Sequence, residues 1–145
     1  MPSTDPKKIA QKVRYELDMF NIAYRLLNEP TTSDQFNHNL LLEGFLLHAR
    51  VLRDFLSPDP PRDDDVLARH FFNNPAEWEQ KESGLCPYLH DDKARINKKL
   101  AHLTYSRLTA AEGWDDATIH REINDAWDQF WSLLPRHKQK WFQHP

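Results

Sequence analysis

An all-α fold is what this sequence predicts, and three observations carry the prediction. Glycine is scarce, at three in 145 residues. Runs of β-branched residues are absent. Apolar side chains recur at three- and four-residue steps along four long segments, the spacing that puts them on one side of a helix. The length fits one domain, residues 1–145, built around a single core. The expected architecture is an antiparallel four-helix bundle, with short helices inserted between the second and third long ones.

The first helix is expected over 6–28. Asp5 supplies an N-cap, Pro6 suits the first helical position, and Ile9, Val13, Leu17, Phe20, Tyr24 and Leu27 follow in helical register. Asn28-Glu29-Pro30 ends it. The second runs over 33–56 behind Thr31-Thr32-Ser33-Asp34, with Leu41, Phe45, His48, Leu52 and Phe55 on one side. Ser57-Pro58-Asp59-Pro60-Pro61 is a rigid break. Asp63-Asp64-Asp65 then leads into a short helix over 66–72, followed by a turn bearing Trp78 and a loop with Gly84. Asp91 or Asp92 caps a third long helix over 92–110. A fourth, over 115–134, carries Ile119, Ile123, Ala126, Trp127, Phe130 and Leu134, and Pro135 stops it. The tail, 136–145, is basic and aromatic. The expected core is Val13, Leu17, Phe20, Leu41, Phe45, Leu52, Ile96, Leu100, Leu103, Ile123, Trp127 and Phe130.

Composition narrows the function classes. With 39% hydrophobic and 28% charged residues the chain is globular rather than disordered. A formal charge of −3 makes no general case for nucleic-acid binding, which would need a local basic patch. Cys86 is the single cysteine, so no intrachain disulfide forms, which suits a reducing, cytoplasmic setting. The polar start, Met1 to Lys8, does not read as a signal peptide, and no apolar run approaches membrane-spanning length. Metal chemistry is not expected: no H-E-x-x-H, E-x-x-H or pair of histidines four apart occurs.

The stretch Ala94–Leu108 carries the sharpest functional signal. As a helix it has an apolar stripe, Ile96, Leu100 and Leu103, and a second stripe of Arg95, Lys99, His102 and Ser106. Arg95 and His102 are two turns apart on one side, about 10 Å along the axis. A guanidinium, an ammonium and an imidazole in line make a surface suited to anions. This Arg-x6-His arrangement, on a helix late in an all-helical chain, resembles the HEPN superfamily, compact helical domains many of which are RNA-cleaving toxins or defence nucleases. The resemblance covers the motif and the helical layout. It differs where the family often has a polar residue after the Arg; here Ile96 stands there and Asn97 follows. It implies metal-independent endoribonuclease chemistry without cofactor, by 2′-hydroxyl attack, in a site built across a homodimer. In that reading His102 moves the proton, Arg95 and Lys99 stabilise phosphate charge, and Asn97 and Ser106 bind substrate.

Other constellations have two readings each. His48 lies on the apolar side of helix two, either as a hydrogen-bonded core histidine or, with Glu43 and Arg50, as support behind the Arg95 stripe. Arg50 is expected to pair with Asp54 at i, i+4. Cys86 reads as a small buried side chain; a nucleophilic role would draw on His90. The tail aromatics Trp141 and Phe142 either touch RNA or dock on the bundle. Trp114, Trp131 and Trp141 offer apolar area for a homodimer interface. Opposed to the nuclease stands a non-catalytic helical interaction module, or a subunit of a larger complex, in which the same residues are structural. RNA, a second copy, a protein inhibitor or a partner subunit are the partners these readings admit; a membrane is not among them.

Overall fold

Two antiparallel helices of equal length form the spine of the molecule. The structure is a computed structural model that describes residues 5–29, 34–101 and 114–143. Helix α1 spans Pro6–Leu27, started by the Asp5 carboxylate, which accepts from Lys7 N at 3.0 Å. Helix α2 spans Gln35–Leu56, started in the same way by Asp34 on Phe36 N at 2.9 Å. Glu16 meets His48, Phe20 stacks on Phe45 with centroids 4.8 Å apart, and Tyr24 reaches the same ring at 5.9 Å. The pairing order runs in opposite directions along the two helices, so they are antiparallel.

A one-turn 3₁₀ helix, Ala68–Phe71, and two short helices, α3 (Ala76–Glu82) and α4 (Pro87–Asp91), follow. Helix α5, Lys93–Ala101, then runs to the edge of the described residues. Helix α6 spans Asp116–Leu133, and the tail adds α7, Arg136–Gln139, and a 3₁₀ turn, Lys140–Phe142. Among the described residues the fold is all-helical, with no strand. No helix there is long and apolar enough to cross a membrane.

Three local expectations are corrected. The helix expected over 66–72 is a 3₁₀ turn from Ala68, and the acids before it do not sit in its first turn. Instead Asp65 accepts from Arg62 N at 2.8 Å and closes a turn of its own. Helix α4 was not expected. Its backbone start is satisfied from far along the chain: the Glu122 carboxylate accepts from Tyr88 N and Leu89 N at 2.9 and 3.1 Å. Just before it, Cys86 takes a left-handed conformation (φ 52°), which turns the chain into Pro87. Of the expected core, Leu41 and Leu100 are only half-buried, Leu103 lies outside the described residues, and the other nine are buried.

Aromatic rings gather at one end of α6. Phe130 is fully buried and lies within 5.2–5.7 Å of Phe55, Phe72, Trp78, Trp127 and Phe142, with Phe71 at 6.4 Å. Most of these approaches are edge-on, the geometry that ring quadrupoles favour. Phe130→Ala is therefore expected to cost about 3–5 kcal/mol in urea unfolding. Leu133→Ala, on the exposed side of the same helix, should stay within about 0.5 kcal/mol. Equal losses at the two positions would show that α6 buries a different face.

Candidate functional site

Helix α5 presents the residues that the sequence singled out. Ile96 is fully buried and turns the apolar stripe inward. Arg95 stays near the surface, its side chain about a quarter exposed. Its Nη1 donates to Asp92 Oδ2 at 3.2 Å, one turn earlier, and its guanidinium carbon lies 3.9 Å from the centre of the Trp114 ring. A carboxylate and an aromatic face thus both contact the guanidinium. Asn97 Oδ1 is buried with no hydrogen-bond partner among the described residues. Lys99 belongs to α5, but its side chain is outside the described set, as are His102 and Ser106 altogether.

The supporting trio on α2 separates into two environments. His48 is half-buried, with Nδ1 against Glu16 Oε2 on α1 and its ring edge-on to Tyr15. That is the hydrogen-bonded histidine of a helix–helix seam. Glu43 and Arg50 lie on another flank of α2, and neither has an ion-pair partner among the described residues. The expected Arg50–Asp54 pair does not form: Asp54 Oδ1 accepts from Arg53 Nε and Nη2 at 3.2 and 2.7 Å instead. Arg53 is itself buried, so it must find its carboxylate next door.

Sequence reasoning missed a polar cluster at the end of α2. Ser57 Oγ donates to Glu82 O at 2.5 Å and lies 2.8 Å from His90 Nε2. With the hydroxyl proton committed to a carbonyl, His90 Nε2–H is the donor to Oγ, and Nδ1 is left as a bare acceptor. Nδ1 and Arg53 Nη1 are both buried without a hydrogen-bond partner among the described residues. A serine and a histidine in contact suggest a hydrolase couple, but the proton runs the wrong way here. Ser57 is 1% exposed, and its hydroxyl ties α2 to the end of α3. No spacing in the sequence marks this pair, since 33 residues separate its members.

Cys86 is also structural. Its thiol donates to Glu122 O at 3.8 Å, and burial, with the Glu122 charge adding, pushes its pKa up to about 12. His90 serves Ser57 rather than Cys86. A second missed cluster joins α1 to α6: Asn21 Oδ1 accepts from His120 Nε2 and Asn124 Nδ2 at 2.9 and 3.0 Å, while the His120 ring stacks on Tyr24 at 3.8 Å. The tail docks rather than projects. Phe142 is fully buried, and Lys138 Nζ donates to Phe71 O at 2.6 Å. Trp114, Trp131 and Trp141 are half-buried against the core, so the apolar surplus expected at those three is found elsewhere.

That surplus lies on the α1–α2 hairpin. Tyr15, Met19 and Ile22 on α1, and Phe36, Leu40, Leu47 and Val51 on α2, are all exposed. Beside them a groove of about 480 Å³, floored by Ile9, Val13, Leu52 and Phe55, opens between the two helices. Among the described residues no three His, Cys, Asp or Glu side chains gather as a metal set.

Two outcomes follow from these environments. Native Cys86 should resist alkylation at about pH 8 and react fully once denatured, read by intact mass; rapid native labelling would contradict its burial. His90 and His120 are both held below the ordinary histidine value, chiefly by burial, with the Arg53 charge adding at His90. Below pH ~6.5 the unfolded chain therefore takes up protons that the folded chain refuses, and stability present above that pH is lost as pH falls toward the lowered values. The melting temperature should drop between about pH 7 and pH 5, and drop less steeply in His90→Gln; parallel curves would remove His90 from the account. No protein-family model, curated protein or solved structure matches this chain.

Proposed function

We propose that the chain is a helical interaction module whose working surface is the outer face of the α1–α2 hairpin. One observation carries this reading. Of nine exposed large apolar side chains among the described residues, seven lie on these two helices, and an eighth, Val66, borders the groove between them. Single exposed apolar residues are ordinary, but a set gathered on one face marks a binding surface. Each Leu or Phe withdrawn from water there contributes roughly 1.5–3 kcal/mol. The four long segments are read as an antiparallel bundle with the 3₁₀ turn, α3 and α4 as its insertion, and the single buried thiol suits a cytoplasmic setting. In Leu40→Glu with Leu47→Glu the helical content should be unchanged, while polypeptides that co-purify with the wild type, itself or others, are lost. Identical behaviour of wild type and double variant would end the reading.

A second reading has its own observation. The guanidinium of Arg95 is held by Asp92 and lies over the Trp114 ring, a placement that pre-positions it for an anion. On that ground we retain the HEPN-like, metal-independent endoribonuclease, of the toxin or defence kind, with Arg95 and His102 central and Lys99, Asn97 and Ser106 toward the RNA. Its test is incubation with mixed RNA in EDTA. Cleavage by the wild type that falls at least about a hundredfold in His102→Ala supports it; RNA left intact by both proteins excludes it.

A further inference from the structure

Taking the hairpin's outer face as an interaction surface, we infer that its partner is a second copy of this chain, laid antiparallel with α2 against α2 about a two-fold axis. The argument begins with spacing. At 100° per residue, Phe36, Leu40, Gly44, Leu47 and Val51 fall within an arc of about 80°, and Phe55, itself buried, borders that arc in the groove between α1 and α2. The buried residues Leu46, Ala49, Arg53 and Leu56 occupy the opposite side of the helix. The steps between Leu40, Gly44, Leu47 and Val51 are four, three and four, a pattern that reads the same in both directions. An antiparallel copy whose axis passes midway between Phe45 and Leu46 thus sets these four positions on one another and carries Phe36 to the groove beside Phe55. Phe36 meets the wall around Phe55, Leu40 meets Val51, and Leu47 meets Gly44, each twice. Isologous symmetry requires this kind of self-complementarity.

Gly44 supplies an independent sign. It sits in the middle of a 22-residue helix, where glycine is about 1 kcal/mol worse than alanine. Among the described residues nothing requires it, because a Cβ built there would meet none of their atoms within 4 Å. On the outside it leaves a notch in an apolar stripe, and the two-fold places the Leu47 side chain of the other copy over that notch. At the ends of the stripe the fit continues. Phe36, at 68% the most exposed of the large apolar residues described, is carried to the groove that Ile9, Val51, Phe55 and Val66 line on the second copy.

Charge agrees with shape. Glu43 and Arg50 stand seven residues apart on one flank of the stripe, opposite in sign and without ion-pair partners among the described residues. In the antiparallel arrangement Glu43 of one copy comes within two residues, about 3 Å along the axis, of Arg50 of the other, and the pair occurs twice. Area agrees as well. Two 22-residue helices, each about 33 Å long and about 10 Å across, present a face of roughly 650 Å², close to the ~800 Å² per partner of a standard interface. Tyr15, Met19 and Ile22 extend the apolar surface onto α1.

Sedimentation of the purified full chain over a dilution series tests the proposal. The wild type is expected to be a dimer. Gly44→Arg, which meets open space among the described residues, should keep its helical circular dichroism and become monomeric. Glu43→Arg should raise the dissociation constant at least about tenfold, and Glu43→Arg with Arg50→Glu should restore it. A wild type that is monomeric throughout, a Gly44→Arg protein that still dimerises like the wild type, or a charge defect that the double reversal does not repair overturns the proposal. A monomer that still captures another polypeptide through Leu40 and Leu47 overturns the second copy and leaves the interaction module standing; a monomer that captures nothing overturns both.

Discussion

The aromatic junction at Phe130 is the constraint on which the rest of the chain depends. Four parts of the sequence, far apart in number, deliver rings to it: α2 through Phe55, the 3₁₀ turn through Phe71 and Phe72, α3 through Trp78, and the tail through Phe142. Apart from α2, none of these pieces could hold a helix alone, since isolated helices of a turn or two are unstable in water. They persist because each has one large ring to bury at a common point. Polar ties then fix their rotation. Trp78 Nε1 donates to Leu56 O at 2.8 Å, and the Arg69 guanidinium grips Glu82 through two bonds of 2.9 and 2.5 Å. Burial supplies the energy and these bonds supply the orientation.

The same economy explains where apolar surface remains. The junction and its neighbours take in Trp78, Trp127, Phe71, Phe72 and Phe142, and even Trp131 and Trp141 pack against it. Residues that a reading by type would set outside are therefore inside. The hairpin is covered on one side only. Helix α2 packs on α1 and on the core, yet keeps Phe36, Leu40, Leu47 and Val51 bare, with Leu40 at 54% and Leu47 at 46% exposure. A helix whose third side is as apolar as its first two is built for a further neighbour.

The sequence made the long helices legible because each repeats its apolar residues for five or six turns and carries its own caps. Asp5 and Asp34 cap as read, and Asp115 starts α6 by accepting from Thr118 N at 3.0 Å. The short elements were not legible, for a physical reason: their determinants lie elsewhere in the chain. Helix α4 owes its start to Glu122, 34 residues from Tyr88, and the 3₁₀ turn owes its place to rings it meets only in the fold. The same limit applies to function. The stripe on α5 could be drawn from periodicity, and Arg95 does stand at its edge. Its partners, Asp92 and Trp114, and the Ser57–His90 and Asn21–His120 pairs, are products of packing. The bare stripe on α2 was visible as letters, but periodicity cannot tell a face that packs from one that waits. Leu41 and Leu47 look alike on paper, and one is half-buried while the other is exposed.

The two functional readings use surfaces on different sides of α2, one on α2 itself and one on α5 packed against it, which decides how they combine. Helix α5 packs on α2. Because the stripe from Phe36 to Val51 is bare, α5 must rest on another side, toward the buried residues Leu46, Ala49, Arg53 and Leu56. An antiparallel copy seated on the stripe would then lie between the two α5 helices rather than bring them together. In such an assembly Arg95 of one copy would not meet Arg95 of the other, and the second imidazole that a shared RNA-cleaving site requires could not come across this axis. Phosphodiester cleavage needs a base and then an acid, so each α5 would have to furnish both from its own chain. The homodimer implied by the resemblance and the homodimer implied by the stripe are thus distinct assemblies. Which face closes decides whether Arg95 works in a composite site or serves, with Asp92 and Trp114, to hold the start of its own helix.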